Sequence, residues 1–313
     1  MAPAEERGAA GYRLSAPAKL NLYLHVTGRR DDGYHLLDSL VAFAAVGDGV
    51  ELTPADDLGL AVGGRFAAAL DDTAADDNLV MRAARLLRQE AGLADHIGVA
   101  IRLEKRLPVA AGLGGGSSDA AAALHGLCAL WGIAPDADDL IRMAMALGAD
   151  VPVCLAPRPT FVGGIGDKLD PAPALPEIHV ALVNPAVPLS TASVFAALGV
   201  GDVERDGRFE LAPLDAAGLA GLLASRDNDL EEPARGLCPQ IDDVLTALER
   251  EDDCLLARMS GSGATCFGLF ATAAASSAAA QSIAEEQQTW WAVSGPLLSA
   301  AAEVAISRIP AYI

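Results

Sequence analysis

The sequence predicts an α+β protein in which strands and helices are grouped along the chain rather than strictly alternating. A chain of 313 residues is long for one compact core, so two domains are expected. Hydrophobic residues make up 52% of the chain, enough for a substantial core, whereas aromatic residues make up only 4%. The core volume must therefore come from Ala, Leu and Val, and the Ala-rich stretches favour helices.

The first sixty residues are typical of extended structure. Residues 12–27 carry short β-type runs, which we interpret as two strands meeting around Pro17. The polar residues 28–33 predict a turn, followed by an extended or helical piece over residues 34–43. Residues 47–60 have the turn residues and alternation of a hairpin.

Helical patterns follow. An amphipathic helix begins after Asn78, and residues 98–103 alternate as a strand. Residues 117–131 predict an apolar helix, and residues 136–148 predict a second helix that ends at a glycine.

Prolines at residues 152–159 and 171–176 indicate a domain junction or exposed hairpin loops. We expect domains of residues 1–157 and 158–313. The remaining predicted elements are a strand over residues 178–183, helices near residues 214–224 and 239–250, a strand over residues 265–270, and helices to the end of the chain.

The charge of the chain argues against nucleic acid and membranes as partners. Its formal net charge is −20, from 42 acidic and 22 basic residues, and such a surface repels phosphate backbones and anionic lipids. Residues 1–11 lack the apolar segment of a signal peptide, and no apolar run is long enough to span a membrane. The five cysteines lack zinc-site spacing and suit free thiols. We therefore expect a cytoplasmic protein.

A glycine-rich segment carries the strongest chemical signal. It reads Pro108-Val-Ala-Ala-Gly-Leu-Gly-Gly-Gly-Ser-Ser-Asp119 and leads into the helix over residues 117–131. Four glycines among five positions let backbone N–H groups approach a phosphate, and the helix N-terminus adds partial positive charge. A tight turn with a serine N-cap is the plainer alternative, but it needs only one or two glycines.

Two familiar nucleotide motifs do not fit this segment. The P-loop ends in Gly-Lys-Ser/Thr, and no lysine lies between Lys105 and Lys168. A dinucleotide fingerprint that starts at Gly112 would need a glycine where Ser117 stands.

Three further segments are weak signals when taken singly. Lys19 lies in an apolar strand, where it needs a charged partner unless it reaches solvent at the strand edge. Asp150 follows a helix stop, where a solvated loop aspartate is the simpler interpretation. Residues 259–264 form a second loop of glycine and serine before a strand.

Together and in this order, the segments resemble the conserved blocks of the GHMP kinases. The resemblance rests on Pro-Ala-Lys at residues 17–19, the glycine-rich segment and Ser-Gly-Ser-Gly-Ala at residues 260–264. It extends through residues 17–40, 77–87, 104–124, 147–153 and 259–270. It implies a two-domain fold with the active site in the interdomain cleft, and transfer of a phosphoryl group from ATP, supplied as MgATP, to a hydroxyl.

The resemblance also implies roles for individual residues. Asp150 would accept the proton of the substrate hydroxyl, and Lys19 would be its positioning partner. The residues implied to bind ATP are Asn78, Lys105, Pro108, Val109, Ala110, Ala111, Gly112, Leu113, Gly114, Gly115, Gly116, Ser117 and Ser118. No set of carboxylates suits a protein-held Mg²⁺, so no metal ligand is assigned.

Residues 28–35 resemble one branch of the family, whose substrate is a cytidyl diphosphate sugar-alcohol. The residues implied to bind this small molecule are Asn21, Tyr34, His35, Thr191, Phe195, Gly261, Ser262 and Gly263. Tyr34 could instead pack in the core, and His35 could be an ordinary loop histidine. Kinases of homoserine, mevalonate or a sugar are the nearest alternatives. A non-catalytic nucleotide-binding relative would be expected to lack Lys19 or Asp150, and both are present. Nothing in the sequence indicates an oligomeric state.

Overall fold

A computed structural model describes residues 11–199, 207–299 and 306–309. Within these ranges the predicted α+β class is confirmed, because helices cover two separate sheets. The first ten residues, for which no signal peptide is predicted, lie outside the described residues, as do the outer ends of both predicted domains. No helix in the described ranges is long and apolar enough to cross a membrane.

The strands are β1 (Gly11–Arg29), β2 (His35–Ala55), β3 (Leu58–Gly63), β4 (Gly98–Glu104), β5 (Thr160–Gly164), β6 (Lys168–Pro171), β7 (His179–Asn184), β8 (Leu256–Met259), β9 (Cys266–Phe270), β10 (Trp291–Pro296) and β11 (Ile306–Ile309). The α-helices are α1 (Leu79–Glu90), α2 (Gly115–Trp131), α3 (Ala137–Leu147), α4 (Val151–Cys154), α5 (Thr191–Ala197), α6 (Ala216–Ala224), α7 (Glu231–Leu237), α8 (Gln240–Arg250) and α9 (Ala273–Glu286). Short 3₁₀ turns lie at Ala67–Leu70 and Ala75–Asp77.

The first sheet has the strand order β11-β1-β2-β4-β3, and β5 and β6 extend it from β2. The hairpin predicted for residues 47–60 is wrong, because β4 lies between β2 and β3. Strand β3 pairs in parallel with β4 and is connected to it through α1, the usual crossover between parallel strands. Strands β5 and β6 follow the predicted boundary after residue 157 yet belong to this sheet, and that boundary stays a prediction.

Strand β1 is continuous, so the predicted break at Pro17 is wrong. The strand instead absorbs the proline at a shift of register, since Pro17 faces Gly47 of β2 whereas Ala18 faces Ala44. Proline cannot donate a hydrogen bond to a sheet, and such irregularities are where sheets accommodate it. A Cβ on Gly47 would collide with the backbone of Ala16 and Pro17, so this close crossing requires glycine.

The register beyond the shift decides which way the polar residues of β1 point. Lys19 pairs with Phe43, and Asn21 pairs with Val41. Both partners belong to the core between the sheet and helices α1–α4, whereas Leu20 belongs to the core between the two sheets. Because directly paired residues share a face, Lys19 and Asn21 lie on the helix-facing side of the sheet.

The second sheet has the order β10-β7-β9-β8. Its buried leucine and phenylalanine side chains meet those of β1 and β2 in the core between the sheets, and its other face packs against α5, α7, α8 and α9. The helices expected to finish the chain are only partly observed: α9 is followed by β10, which pairs with β7. Trp291 opens β10 and is buried, whereas Ser294, Gly295 and Pro296 give it little strand signal.

Candidate active site

A cavity of about 800 Å³ opens beside the first turn of α2. All but three of the residues proposed from the sequence as catalytic, ATP-binding or substrate-binding line it. Leu113, Ser118 and Gly263 are the three that do not. Segments far apart in the chain therefore meet around one space, whose volume is typical of a small-molecule site.

The glycine-rich segment forms the edge of this cavity and the N-terminus of α2. The helix begins at Gly115, two residues earlier than predicted, because Gly114 caps it in the left-handed conformation with φ 59°. The first N–H groups of a helix have no partner within it, and here they belong to cavity-lining residues 115–117. These N–H groups and the helix dipole suit a phosphate group.

Two residues of the segment anchor it to β1. Ser118 Oγ donates a hydrogen bond to the Pro17 carbonyl at 2.7 Å. The backbone N–H of Lys19 donates to the Leu113 carbonyl at 2.9 Å. Any side chain on Gly114 would press on Lys19, since an added Cβ would lie 3.0 Å from that of Lys19. Direct contact of Leu113 and Ser118 with a nucleotide stays a prediction.

Lys19 and Asp150 meet on the cavity wall. The Lys19 ammonium lies 2.9 Å from Asp150 Oδ2. Lys19 is 6% exposed, which excludes a lysine that reaches solvent at a strand edge, whereas the Asp150 side chain is 47% exposed. Asp150 stands immediately before α4, but its side chain does not cap that helix. The carboxylate is therefore available both to Lys19 and to a ligand in the cavity.

Lys105 lies in a second, deeper charge cluster beneath the glycine-rich segment. Its ammonium pairs with Asp119 Oδ2 at 2.7 Å and with Asp48 Oδ2. The other oxygen of Asp48 accepts the backbone N–H groups of Arg106 at 2.5 Å and Leu107 at 2.9 Å. This cluster ties strand β2, the segment after β4 and the N-terminal part of α2 together. Lys105 lines the cavity, but its ammonium is engaged, and its contact with ATP stays a prediction.

The charges of this cluster do not cancel. Two carboxylates face one ammonium, and all three residues are at most 3% exposed. Burial raises the pKa of Asp119 to about 7; Lys105 opposes the rise and Asp48 adds to it. The pKa of Lys105 is also raised: its burial alone would lower it, but Asp119 and Asp48 outweigh that effect.

Asn78 begins the apolar end of the cavity. Its Oδ1 accepts the Val80 N–H at 2.9 Å and so caps α1, whose predicted start is confirmed. Leu79, Val80 and Leu103 line the cavity nearby and provide apolar walls. The predicted contact of Asn78 with ATP is compatible with this location but is not tested by it.

The loop between β8 and β9 closes the cavity from the other side. Ser260 Oγ donates to the Gly112 carbonyl at 3.0 Å and accepts the Asn21 backbone N–H at 3.2 Å. A Cβ on Gly112 would collide with the Ser260 carbonyl, so a side chain at Gly112 would separate the two loops. Gly261 and Ser262 line the cavity, whereas Gly263 does not.

Aromatic side chains mark the far end of the cavity. His35 stacks on Phe195 with ring centroids 5.0 Å apart, and Tyr34 is 63% exposed at the rim, which excludes core packing for Tyr34. Burial, and secondarily Arg29, lowers the pKa of His35. Thr191 Oγ1 lies 2.8 Å from Ser262 Oγ, so two predicted substrate residues meet. A second cavity of about 1090 Å³ shares His35 and Phe195 with the first.

Sequence reasoning missed several residues that hold the site together. Asp119 and Ser260 lie within the glycine-rich motifs, but the sequence does not indicate which groups they contact. Asp48 and Asn228 carry no local signal, because their partners are remote in sequence: Asp48 binds Lys105, 57 positions away. Asn228 Nδ2 donates to the carbonyls of Met259 at 2.9 Å and Gly261 at 2.8 Å, and so supports the loop that closes the cavity.

Comparison with known proteins identifies the family of this chain. Residues 78–157 match the model of the GHMP kinases N terminal domain, and residues 214–288 match that of the GHMP kinases C terminal domain. A relative named 4-diphosphocytidyl-2-C-methyl-D-erythritol kinase from Paramagnetospirillum magneticum is 54% identical over 84% of this chain and 90% of its own length. A relative of the same name from Rhodospirillum rubrum is 51% identical over 82% of this chain and 83% of its own length.

Solved structures of kinases share the fold of this chain. The chain is similar to a crystal structure of 4-(cytidine 5′-diphospho)-2C-methyl-D-erythritol kinase, with a TM-score of 0.72 and 35% identity over 91% of this chain and 98% of that one. A homoserine kinase from Cytophaga hutchinsonii has a TM-score of 0.68 at 18% identity, over 99% of this chain and 100% of that one. The second likeness shows the shared fold alone.

The buried charge cluster predicts a pH-dependent cost of removing its cation. Lys105→Met leaves Asp48 and Asp119 buried without a counter-charge, which should lower the free energy of unfolding by about 3–5 kcal/mol near pH 8. The loss of stability should be smaller near pH 5.5. At that pH the raised pKa of Asp119 keeps its carboxyl protonated in the folded state, whereas the same carboxyl is ionised in the unfolded state, so the low pH favours folding. Urea unfolding at both pH values measures this.

Lys168→Met is the matched control for this experiment, because Lys168 is exposed. It should change the free energy of unfolding by less than about 0.5 kcal/mol. An equal loss for Lys105→Met at both pH values would contradict an electrostatic role of the cluster and indicate packing instead.

Proposed function

Because this chain belongs to the GHMP kinase family, and within it to the branch of 4-diphosphocytidyl-2-C-methyl-D-erythritol kinases, we propose that it transfers the γ-phosphoryl group of ATP to the 2-hydroxyl of that cytidyl compound. The chain is a small-molecule kinase of isoprenoid biosynthesis. The proposed reaction is the phosphorylation of the cytidyl compound in the non-mevalonate route to isoprenoids.

One observation carries the proposed chemistry: the pair of Lys19 and Asp150, 2.9 Å apart, lines the same cavity as the glycine-rich segment. Lys19 is also joined to that segment directly, because its backbone N–H donates to the carbonyl of Leu113. A hydroxyl bound at Asp150 would therefore lie next to a phosphate bound at the N-terminus of α2.

The reaction follows from this arrangement. The substrate hydroxyl oxygen attacks the γ-phosphorus, a new P–O bond forms, and the bond between the γ-phosphorus and the oxygen bridging to the β-phosphate breaks to leave ADP. Asp150 accepts the proton that the hydroxyl loses. Lys19 positions the carboxylate and, as a cation, stabilises negative charge that develops at the transferred group.

ATP would bind with its phosphates on the N–H groups of residues 115–117 and its base in the apolar end of the cavity near Asn78. Ser117 lines the cavity, and its hydroxyl is an oxygen donor of the kind that Mg²⁺ prefers. We propose that the hydroxyl of Ser117 would hold, from the protein side, the Mg²⁺ that accompanies ATP. When bound, the ion neutralises charge on the transferred phosphoryl group.

The aromatic end of the cavity suits the cytidine base. Tyr34 and Phe195 offer ring faces for stacking, and His35 adds a polar ring beside Phe195. Thr191, Ser262 and the backbone at Gly261 and Gly263 are proposed to hold the rest of this substrate. The five free cysteines agree with the proposed cytoplasmic location.

The substrate is tested by ADP release from MgATP, measured with a coupled assay. We expect turnover with 4-diphosphocytidyl-2-C-methyl-D-erythritol, and at least about a hundredfold lower kcat/KM with mevalonate, homoserine or galactose, which lack the cytidine that the aromatic end would bind. Preferred turnover of one of the other three would contradict the proposed substrate and leave the kinase activity intact.

The proposed base is tested by Asp150→Asn. The amide keeps the size of the side chain but cannot accept the proton, so kcat should fall by about 10²–10⁴-fold. The affinity for MgATP, measured by isothermal titration calorimetry, should stay within about threefold, since the glycine-rich segment is untouched. Asp138→Asn, on the exposed surface of α3, is the matched control. Turnover of Asp150→Asn close to the wild-type rate would exclude the assigned role.

A further inference from the structure

Ser39 is a buried residue of β2 that lines the cavity and was not singled out in the sequence. Its Oγ donates a hydrogen bond to the Tyr23 carbonyl at 2.5 Å. A serine hydroxyl has a single proton, so a second neighbour of Ser39 Oγ can only donate to it.

That second neighbour is the side-chain amide of Asn21. Asn21 Nδ2 lies 2.8 Å from Ser39 Oγ. If the amide were turned over, its carbonyl oxygen would face a hydroxyl whose proton is already committed, and two acceptors would be in contact. Ser39 therefore selects the amide orientation in which Asn21 Oδ1 points away from it.

The oxygen of Asn21 is left without a partner. Asn21 is 5% exposed, and its Oδ1 is buried with no hydrogen-bond partner among the described residues. Gly261, which lines the cavity, lies next to this oxygen, since a Cβ at that position would be 3.4 Å from Asn21 Oδ1. A buried acceptor left unpaired costs about 1–3 kcal/mol, which a ligand that donates a hydrogen bond would recover.

The position of this acceptor limits what the ligand group can be. Asn21 follows Lys19 by two residues in a regular part of β1, so both side chains lie on the same face. Asn21 and the pair of Lys19 and Asp150 therefore line the same cavity from one face of the sheet. Phosphate oxygens only accept hydrogen bonds and do not suit it, whereas a hydroxyl does. The reacting hydroxyl gives its proton to Asp150, so a neighbouring hydroxyl of the substrate is the group that remains.

We propose that Ser39 is a positioning residue: it fixes the Asn21 amide so that Oδ1 accepts a hydrogen bond from the substrate hydroxyl next to the one that is phosphorylated. The inference rests on the proposed function and deepens it, because it makes a vicinal diol, rather than any alcohol, the recognised part of the substrate. Ser39 acts only through Asn21 and takes no part in the transfer of the proton or the phosphoryl group.

Steady-state kinetics of Ser39→Ala test the proposal with the cytidyl substrate and with its 1-deoxy and 3-deoxy analogues, which each lack one hydroxyl beside the reacting carbon. For the wild-type enzyme, one analogue should lose about tenfold in kcat/KM, the value of one hydrogen bond. Ser39→Ala should lose about tenfold with the full substrate, little more with that analogue, and nothing in KM for ATP.

Ser276→Ala is the matched control, because Ser276 is a buried serine of α9 that does not line the cavity. It should leave all of these constants unchanged. Ser39→Thr, which keeps the hydroxyl, should restore the sensitivity to the missing substrate hydroxyl.

The outcomes separate the two levels of the proposal. If the wild-type enzyme turns the cytidyl substrate over but Ser39→Ala is as sensitive to the missing hydroxyl as wild type, the role of Ser39 is overturned and the proposed function stands. If the wild-type enzyme does not turn the substrate over, the proposed function fails and the hydroxyl assignment fails with it.

Discussion

The shift of register at Pro17 and Ala18 is the constraint on which the rest of the site depends. Side chains normally alternate between the two faces of a strand, and an irregularity in the pairing can interrupt that alternation. Before the shift, Leu14 and Ala16 pack toward the helices; after it, Leu20 packs between the sheets and Lys19 turns toward the helices. Without the shift, the Lys19 ammonium would lie among the apolar side chains between the two sheets, away from Asp150.

Charge then determines which segments converge on β1. The buried Lys19 is paired by Asp150, 131 positions later, at the mouth of the cavity. The deeper Lys105 is paired by Asp48 and Asp119 and holds the start of α2 in place beneath the glycine-rich segment. One ion pair therefore lies on the cavity wall, and the other supports the backbone that is proposed to bind the phosphates. Hydrogen bonds of Ser260 join the loop between β8 and β9 to Asn21 of β1 and to Gly112 of the glycine-rich segment.

Local patterns predicted a large part of this protein. The start of α1 after Asn78, the helix after the glycine-rich segment and the strand β7 are short-range features, and the structure confirms them. Pairing between remote segments was not predictable in the same way: the course of β1 through Pro17 depends on Gly47, and β4 displaces β3 from β2. For the same reason the motifs identified most residues that line the cavity, but not supporting residues such as Asn228, whose partners are fixed only by the fold.

A crystal structure of the enzyme with 4-diphosphocytidyl-2-C-methyl-D-erythritol and a non-hydrolysable ATP analogue tests the central claim most directly. The account predicts that the 2-hydroxyl lies within hydrogen-bond distance, about 2.6–3.2 Å, of the Asp150 carboxylate. It also predicts that the terminal phosphate of the analogue lies between that hydroxyl and the N-terminus of α2. A 2-hydroxyl held by other groups, with the pair of Lys19 and Asp150 turned away from both ligands, would contradict it.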